Sequence, residues 1–300
     1  MNAIILINKP KDFRSTKCVA IARKKLNGLK TGHAGTLDSS ASGLLVLLSG
    51  NATRLCEYVM SLPKVYRTVI QFGAETDTDD YTGNLISQKG YADFDGSIIT
   101  KLLLRFSGLR PQMPPSVSAI KINGQPAHKL ARSGQDVNLK ERPVFFRHIN
   151  IITPYCQNNG TLELEVHCGR GTYIRSLARD LGRLSGTGAY VKSLERISTG
   201  LFTLNDAAHP DDEIKPLPLS RLAENFTGIY IDGRDAKSFA NGMSIQLSHA
   251  LRTQRGFYTG ADKSLCVESD TFLGFGTYAG YEYLKPDVIV PKDMLYSSSC

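Results

Sequence analysis

Three observations predict that this chain of 300 residues folds as an α+β protein with one large and one small domain. Strand and helix patterns alternate irregularly, without the repeated βαβ unit of a doubly wound sheet. The length exceeds what most single cores hold, yet it falls short of three ordinary domains. A proline-rich stretch at 210–218 precedes a glycine- and tyrosine-rich tail of short strand patterns. We therefore expect a main domain at 1–222 and a small β-rich module at 228–300.

The start of the chain is predicted to form a strand, a helix, a loop and a second strand. The apolar run 3–7 is typical of a buried strand, and Ser15 or Thr16 can cap a helix that ends near Gly28. Residues 32–43 are rich in glycine, serine and threonine, and a loop of that length suggests a functional role. Another apolar run, at 44–48, predicts the second strand.

Helical spacing of apolar residues predicts a helix at 53–62, and alternation predicts a strand at 66–72. The acidic stretch from Glu75 to Asp80 resembles a metal-binding loop in composition. It lacks the glycine and the distant glutamate of a calcium loop, so we interpret it as a solvated turn.

The next part of the chain contains an excursion that is basic and rich in proline, at 108–142, with a short helix expected around 128–132. This excursion has the character of an insertion into the sheet. The regular elements around it are predicted at 98–106 (helix), 144–152 and 162–166 (strands), and 172–184 (helix). The last helix has a buried stripe made of Ile174, Leu177, Ala178 and Leu181.

Composition narrows the class of protein. Hydrophobic residues make up 41% of the chain and charged residues 21%, as in a globular protein with a full core. The net charge of +8 favours a polyanionic partner, although many basic proteins carry only a solvated basic surface. The cysteines form no C-x-x-C pair, so we expect reduced thiols and no metal site. The run 3–7 is too short for a signal peptide or a membrane span, so a cytoplasmic location without membrane association is expected.

A few polar side chains are placed where chemistry is possible. Asp38 ends the glycine-rich loop just before a buried strand, where rigid backbone would hold a reachable carboxylate, although loop aspartates are usually turn formers. His33 is equally ambiguous, since a lone histidine is more often structural. Tyr173 and Arg175 lie off the apolar stripe of their helix and should point away from the core, where they could stack on a base or bind phosphate. Tyr66 could be a core aromatic or a stacking platform.

The order of the motifs resembles one family along almost the whole chain, the bacterial tRNA pseudouridine-55 synthases of the TruB family. The matching segments are Asn8-Lys9-Pro10, His33-Ala34-Gly35-Thr36-Leu37-Asp38, Lys64-Val65-Tyr66-Arg67, Pro114-Pro115-Ser116-Val117-Ser118-Ala119-Ile120-Lys121 with Ala131-Arg132-Ser133-Gly134, and Gly171-Thr172-Tyr173-Ile174-Arg175-Ser176-Leu177. A weaker likeness to a PUA RNA-binding domain rests on Leu273-Gly274-Phe275-Gly276 and on its position in the chain. Several motifs in the right order are far more specific than any one of them.

The resemblance assigns roles to individual residues. Asp38 would be the catalytic aspartate, Tyr66 would stack on the flipped uracil, and Arg175 would pair with Asp38 until the substrate enters. Tyr173 would be the active-site tyrosine and His33 would contact the RNA near the flipped base. The remaining assigned residues are Leu194, which would line the pocket, and Lys9 and Pro10, which would support the catalytic loop.

The same resemblance implies a fold and an activity. The fold would be the pseudouridine synthase fold, a mixed, largely antiparallel central sheet with flanking helices, followed by a PUA-like module. The substrate would be the T-arm stem-loop of tRNA, gripped by the segment 108–142, and the enzyme would act as a monomer without a cofactor or an obligate protein partner. The alternatives are a non-catalytic RNA-binding protein, a guide-RNA-dependent pseudouridine synthase and a metal-dependent RNA hydrolase.

Three positions depart from the family pattern. Proline usually follows the catalytic aspartate, whereas this chain has Ser39-Ser40, so the turn there loses a fixed φ. A tyrosine is usual where Val117 stands in the inserted segment. A glycine is common in the family near Asp12-Phe13. We expect the missing proline to have little chemical effect, and the other two departures to affect RNA affinity more than catalysis.

Overall fold

The computed structural model describes residues 2–91, 93–118, 121–122, 125–126, 139–246, 251–253, 264–279 and 283–291. The strands are Ala3–Lys9 (β1), Thr31–His33 (β2), Ser42–Ser49 (β3), Lys64–Phe72 (β4), Ala74–Thr76 (β5), Leu85–Gln88 (β6), Gly108–Gln112 (β7), Lys121–Ile122 (β8), Gln125–Pro126 (β9), Arg142–Cys156 (β10), Thr161–Cys168 (β11), Ala189–Thr199 (β12), Phe202–Thr203 (β13), Gly228–Tyr230 (β14), Ile245–Gln246 (β15), Leu251–Thr253 (β16), Ser264–Glu268 (β17), Phe272–Ala279 (β18) and Tyr283–Pro291 (β19).

The α-helices are Ser15–Lys25 (α1), Cys56–Ser61 (α2), Ile99–Leu104 (α3), Ile174–Ser185 (α4), Ser220–Ala223 (α5) and Gly233–Ala240 (α6). Short 3-10 helices cover Gly50–Leu55, Gly96–Ile98 and Leu204–Asp206. Among the described residues, no helix is long and apolar enough to cross a membrane. The expected helix at 128–132 lies outside the described residues.

The chain divides into two compact units, the first made of Met1–Asp38, Gly43–Leu62 and Ser198–Cys300. In this unit β3 is the central strand, because Leu47 pairs antiparallel with Ile5 of β1 and also with His33 of β2. Every residue of β3 after Ser42 is buried, which matches its uninterrupted apolar sequence. The strands predicted at 3–7 and 44–48 are therefore confirmed.

The C-terminal strands of this unit form a sheet of order β15-β19-β18-β17-β14-β16. It has its own core around Phe239 and Val267, and the small β-rich module predicted from the tail is confirmed. The sheet also packs on α2, where the Tyr58 ring lies 4.3 Å from that of Phe275 and the Tyr58 hydroxyl donates to Asp287 Oδ2 at 3.1 Å. The boundaries at 222 and 228 stay predictions.

The second unit consists of Ser39–Ser42 and Pro63–Ile197, with strand order β12-β4-β11-β10-β7. The pairs β4 with β11, β11 with β10 and β10 with β7 are antiparallel, as expected for a largely antiparallel sheet. Helix α4 buries its apolar stripe against this sheet, and its members Ile174, Leu177, Ala178 and Leu181 are at most 3% exposed. Gly186, in the left-handed conformation, ends the helix.

Candidate active site

Helix α1 fixes the position of the loop that carries Asp38. The Ser15 hydroxyl donates to Leu37 O at 2.8 Å and accepts from Leu37 N at 3.1 Å, and both residues are buried. The helix begins after Arg14, so the prediction that Ser15 caps it is wrong. Its hydroxyl instead satisfies both backbone groups of the residue before Asp38. This fixes the backbone on which the half-buried Asp38 carboxylate is mounted.

Lys9 closes the turn between β1 and α1. Its side chain is fully buried, and its Nζ donates to Pro10 O at 2.9 Å and to Phe13 O at 2.7 Å. A buried ammonium requires such acceptors, because an unpaired charge would lose its hydration without compensation. His33 ends β2 opposite Leu47, and Cys56 Sγ donates to its carbonyl oxygen at 3.6 Å. Each of these residues is thus tied to the β1–β3 layer of the first unit.

The residues directly after Asp38 belong to the second unit, where Ser40 Oγ donates to Asp80 Oδ2 at 2.9 Å. Asp80 also accepts from Thr78 Oγ1 at 2.8 Å and from Thr82 N at 2.9 Å. Burial opposes ionisation of Asp80, but the hydrogen bonds from Thr82, Thr78 and Ser40 outweigh it and lower the pKa of its carboxyl. Serine at position 40 therefore supplies an anchor for this turn.

The interpretation of 75–80 as a solvated turn is wrong for its last two residues. Asp79 and Asp80 are 8% and 4% exposed, because Arg179 and Ser40, both distant in the chain, supply partners for their carboxylates. Among the described residues, no group of three histidine, cysteine, aspartate or glutamate side chains could hold a metal ion.

Tyr66 and Leu194 lie on β4 and β12, which are neighbouring strands. Both are half-buried and pack against the same apolar cluster, which includes Ile70, Val166 and Val191. The aromatic ring of Tyr66 is therefore supported by the core on one side while part of it stays accessible. Such a ring is suited to stacking on a planar ligand.

Helix α4 begins after Tyr173, whose backbone is fixed to Gln112 by two hydrogen bonds. Tyr173 N donates to Gln112 Oε1 at 2.9 Å, and Gln112 Nε2 donates to Tyr173 O at 3.0 Å. Arg175 is the second residue of the helix and is 4% exposed, and it donates to Thr78 O at 2.9 Å and to Val117 O at 3.0 Å. The expectation that Arg175 points away from the core is wrong, since these carbonyl groups satisfy its buried guanidinium. Because the contact at 117 is to backbone, valine preserves it.

Arg179, four residues after Arg175, was not singled out from the sequence. Its Nη1 donates to Asp79 Oδ2 at 2.9 Å, its Nε to Asp180 Oδ1 at 2.9 Å and its Nη2 to Met113 O at 2.7 Å. Burial raises the pKa of the Asp79 carboxyl, and the guanidinium groups of Arg179 and Arg175 oppose that rise. The spacing of four on an amphipathic helix was the available signal.

Together these contacts attach α4 to residues 112–117, the first part of the predicted inserted segment. Ser176 Oγ also donates to Met113 O, at 2.8 Å. Residues 119–120, 123–124 and 127–138 of the segment that is expected to grip RNA lie outside the described residues. Its starting point is nevertheless fixed by the same helix that carries Arg175.

The architecture places the protein in a structural class. A crystal structure of a Cbf5–Nop10–Gar1 complex contains a chain that is 20% identical and superposes with a TM-score of 0.70, covering 98% of this chain and 86% of that one. A structure of an H/ACA RNP bound to a substrate RNA matches with a TM-score of 0.65 at 19% identity, covering 95% and 83%. The fold is the pseudouridine synthase fold, as the sequence predicted.

Sequence comparison specifies the family. The model of the TruB family pseudouridylate synthase N-terminal domain matches residues 23–174, which include His33, Asp38, Tyr66 and Tyr173. A tRNA pseudouridine synthase B of Francisella tularensis subsp. holarctica (strain OSU18) is 35% identical over 76% of this chain and 75% of its own length. A tRNA pseudouridine synthase B of Synechococcus sp. (strain WH7803) is 42% identical over 64% of this chain and 63% of its own length. This chain belongs to the TruB family of pseudouridylate synthases.

Proposed function

We propose that this protein isomerises uridine to pseudouridine at position 55 in the T-loop of tRNA, with Asp38 as the catalytic residue. The relatives named tRNA pseudouridine synthase B support the choice of tRNA. The observation that carries the role of Asp38 is the pair of hydrogen bonds between Ser15 and Leu37, which fix the backbone next to this carboxylate. Preorganised placement of a reacting group is a main source of enzymatic rate enhancement.

The reaction rearranges one nucleotide without net redox change. The bond from N1 of uracil to C1′ of ribose breaks, the base turns, and a bond forms from C5 to C1′. The proton on C5 is then lost and N1 gains a proton, so atoms and electrons balance without a cofactor. Asp38 acts either by covalent attack on the nucleotide or by abstracting a ribose proton, and both routes need an ionised carboxylate.

The target base has to leave the helical stack before it can react. Extrusion costs a few kcal/mol, and stacking on an aromatic ring returns about 1–3 kcal/mol per base. Tyr66 is the residue that we assign to this task, and Leu194, on the neighbouring strand, is assigned to lining the pocket. We assign Arg175 to pairing with Asp38 before the substrate enters, Tyr173 to the active site, and His33 to the RNA near the flipped base. Lys9 and Pro10 support the loop.

A tRNA transcript labelled with tritium at C5 of uridine tests this proposal, because loss of the C5 proton releases the label to water. We expect release by the isolated protein without a guide RNA, a partner protein or a metal, in keeping with a cytoplasmic monomer. The same RNA with uridine 55 replaced by cytidine is the control. Equal release from the control RNA would refute the choice of position.

A further inference from the structure

Almost all of the net charge of this protein comes from one short segment. Residues 9–30 contain eight lysines and arginines and a single acidic residue, a net charge of +7, whereas the whole chain carries +8. The rest of the molecule is therefore close to neutral. Lys9 is buried in the turn that it closes, but Lys11, Arg14 and Lys17 are exposed, as are Arg23, Lys24, Lys25 and Lys30.

Helix stability explains only part of this concentration. Arg23, Lys24 and Lys25 lie in the last turn of α1, where cations interact favourably with the helix dipole. The first turn has no acidic residue, and Arg14 and Lys17 place positive charge at the end where the dipole disfavours it. Lys17 has a partner within the chain, since its Nζ lies 3.8 Å from the centroid of the Phe13 ring, but positive charge concentrated at both ends of one helix favours an anionic ligand.

The exposed side of α1 borders a groove of about 430 Å³. Its lining includes Thr16, Ala20, Arg23, Lys24, Gly28 and Thr31. The helical members are three or four residues apart and so share one face, opposite the buried Cys18 and Ala22. A Cβ added at Gly28 would meet nothing within 4 Å, so a bulky ligand has room to approach the groove at this position.

One cation of the groove is already oriented. Arg23 Nε donates to Gly28 O at 3.1 Å, which uses one of the five N–H donors of the guanidinium. That bond ties the side chain to the end of the helix beside Lys24. A guanidinium next to an ammonium, with the Thr16 and Thr31 hydroxyls along the same groove, forms a surface with charged and neutral hydrogen-bond donors beside the apolar side chains of Val19 and Ala20. Phosphate oxygens match such a surface.

We propose that this groove, defined by Thr16, Val19, Ala20, Arg23, Lys24, Gly28 and Thr31, binds the sugar–phosphate backbone of the RNA substrate. The inference rests on the proposed function for the identity of the RNA. The helix of 11 residues is about 16 Å long, so it can contact more than one phosphate. This binding surface is separate in sequence from the inserted segment at 108–142, so it provides a second, independent contribution to affinity.

The test is the dependence of tRNA affinity on salt, measured with the double variant Arg23→Gln/Lys24→Gln. Loss of two phosphate contacts reduces the slope of log K against log salt concentration by about 1.4 to 1.8. We expect the Kd at 0.1 M salt to rise about tenfold or more. The matched control is Lys89→Gln/Lys101→Gln, which removes two exposed charges from the acid-rich region around Asp93 and Asp95 and should change the Kd less than twofold.

A second pair of variants covers the case in which the double variant is unstable. Ala20 is exposed in the groove, so Ala20→Lys should tighten tRNA binding and Ala20→Glu should weaken it, each several-fold and in opposite directions. Unchanged affinity and slope in both sets would overturn the proposal. Binding is measured with all variants made in the Asp38→Asn background, so that no turnover occurs. If wild-type protein formed no pseudouridine, the proposed function would be refuted, but this binding test would remain valid.

Discussion

Replacing Arg179 by methionine tests how α4 is attached to the start of the inserted segment. The substitution preserves helix propensity and most of the side-chain volume but removes the partner of Asp79. The side chains of Arg179 and Asp79 are only 8% and 11% exposed, so water cannot replace the lost interaction. The Asp79 carboxylate is then buried with its main counter-charge removed.

The size of the effect follows from three lost contacts. The contact with Asp180 contributes little to the free energy of unfolding, because that carboxylate is 32% exposed and already hydrated. The contact with Met113 O also contributes little, since this oxygen still accepts from Ser176 Oγ at 2.8 Å. Loss of the buried ion pair with Asp79 is the largest of the three effects. Removal of one partner of a buried ion pair reduces the free energy of unfolding by about 3–5 kcal/mol.

The loss also depends on pH with a defined sign. Burial already raises the pKa of Asp79 in the folded state, and removal of Arg179 raises it further. The folded variant then binds a proton more tightly than the unfolded chain does. The contribution of protonated Asp79 to the stability of the variant is therefore complete at a pH below the ordinary aspartate pKa of about 3.9. This contribution is lost as the pH rises through the raised folded-state pKa of Asp79. The deficit relative to wild type should be larger at pH 8 than at pH 5.

Urea denaturation at the two pH values measures this difference, and Asp79→Asn/Arg179→Met is the control. Asparagine tolerates the φ of 61° at position 79 and carries no charge, so the double variant should regain at least 1 kcal/mol and lose the additional pH dependence. A deficit of Arg179→Met below about 1 kcal/mol, or one that is the same at both pH values, would refute the reasoning.

Three further predictions concern other contacts. Ser15→Ala removes both side-chain bonds to Leu37, so kcat for pseudouridine formation should fall tenfold or more while the Kd for tRNA changes little; Ser15→Thr should restore part of kcat, and an unchanged kcat in Ser15→Ala would contradict the positioning role. Ser40→Ala removes a bond that helps to lower the pKa of Asp80, so the variant should lose about 1 kcal/mol of stability near pH 7, and this loss should shrink as the pH falls through the folded-state pKa. Burial raises the pKa of the Cys168 thiol to about 12, so iodoacetamide at pH 8 should leave it unmodified in the folded protein, and rapid labelling would contradict its burial.

Local patterns predicted the elements that are uniformly apolar or strictly alternating. Strands β1, β3 and β11 and helix α4 fall close to their predicted positions, because each buries one continuous set of apolar side chains. Strand β12 was missed because Arg196, a charged residue, occupies one of its inward positions with 2% exposure. A charge there breaks the alternation from which a strand is inferred.

The candidate site was predictable as a set of motifs but not as a set of contacts. Asp38 could be placed in a functional loop from its glycines and the strand after it. The burial of Asp79 could not be predicted, since its partner Arg179 is 100 residues away in the chain. The role of Ser15 was missed because a hydroxyl near a helix start has the sequence signature of a cap, and because its partner Leu37 is 22 residues away in the chain.

The most direct test of the central claim is to map pseudouridine in an unmodified tRNA transcript treated with wild-type protein and with Asp38→Asn. We predict complete conversion of uridine 55 by wild type and none by the variant, with the Kd for tRNA within a few-fold of wild type. Carboxylate and amide are nearly isosteric, so binding should survive when the chemistry does not. Measurable pseudouridine formation by Asp38→Asn, or conversion by wild type only at other positions, would contradict the account.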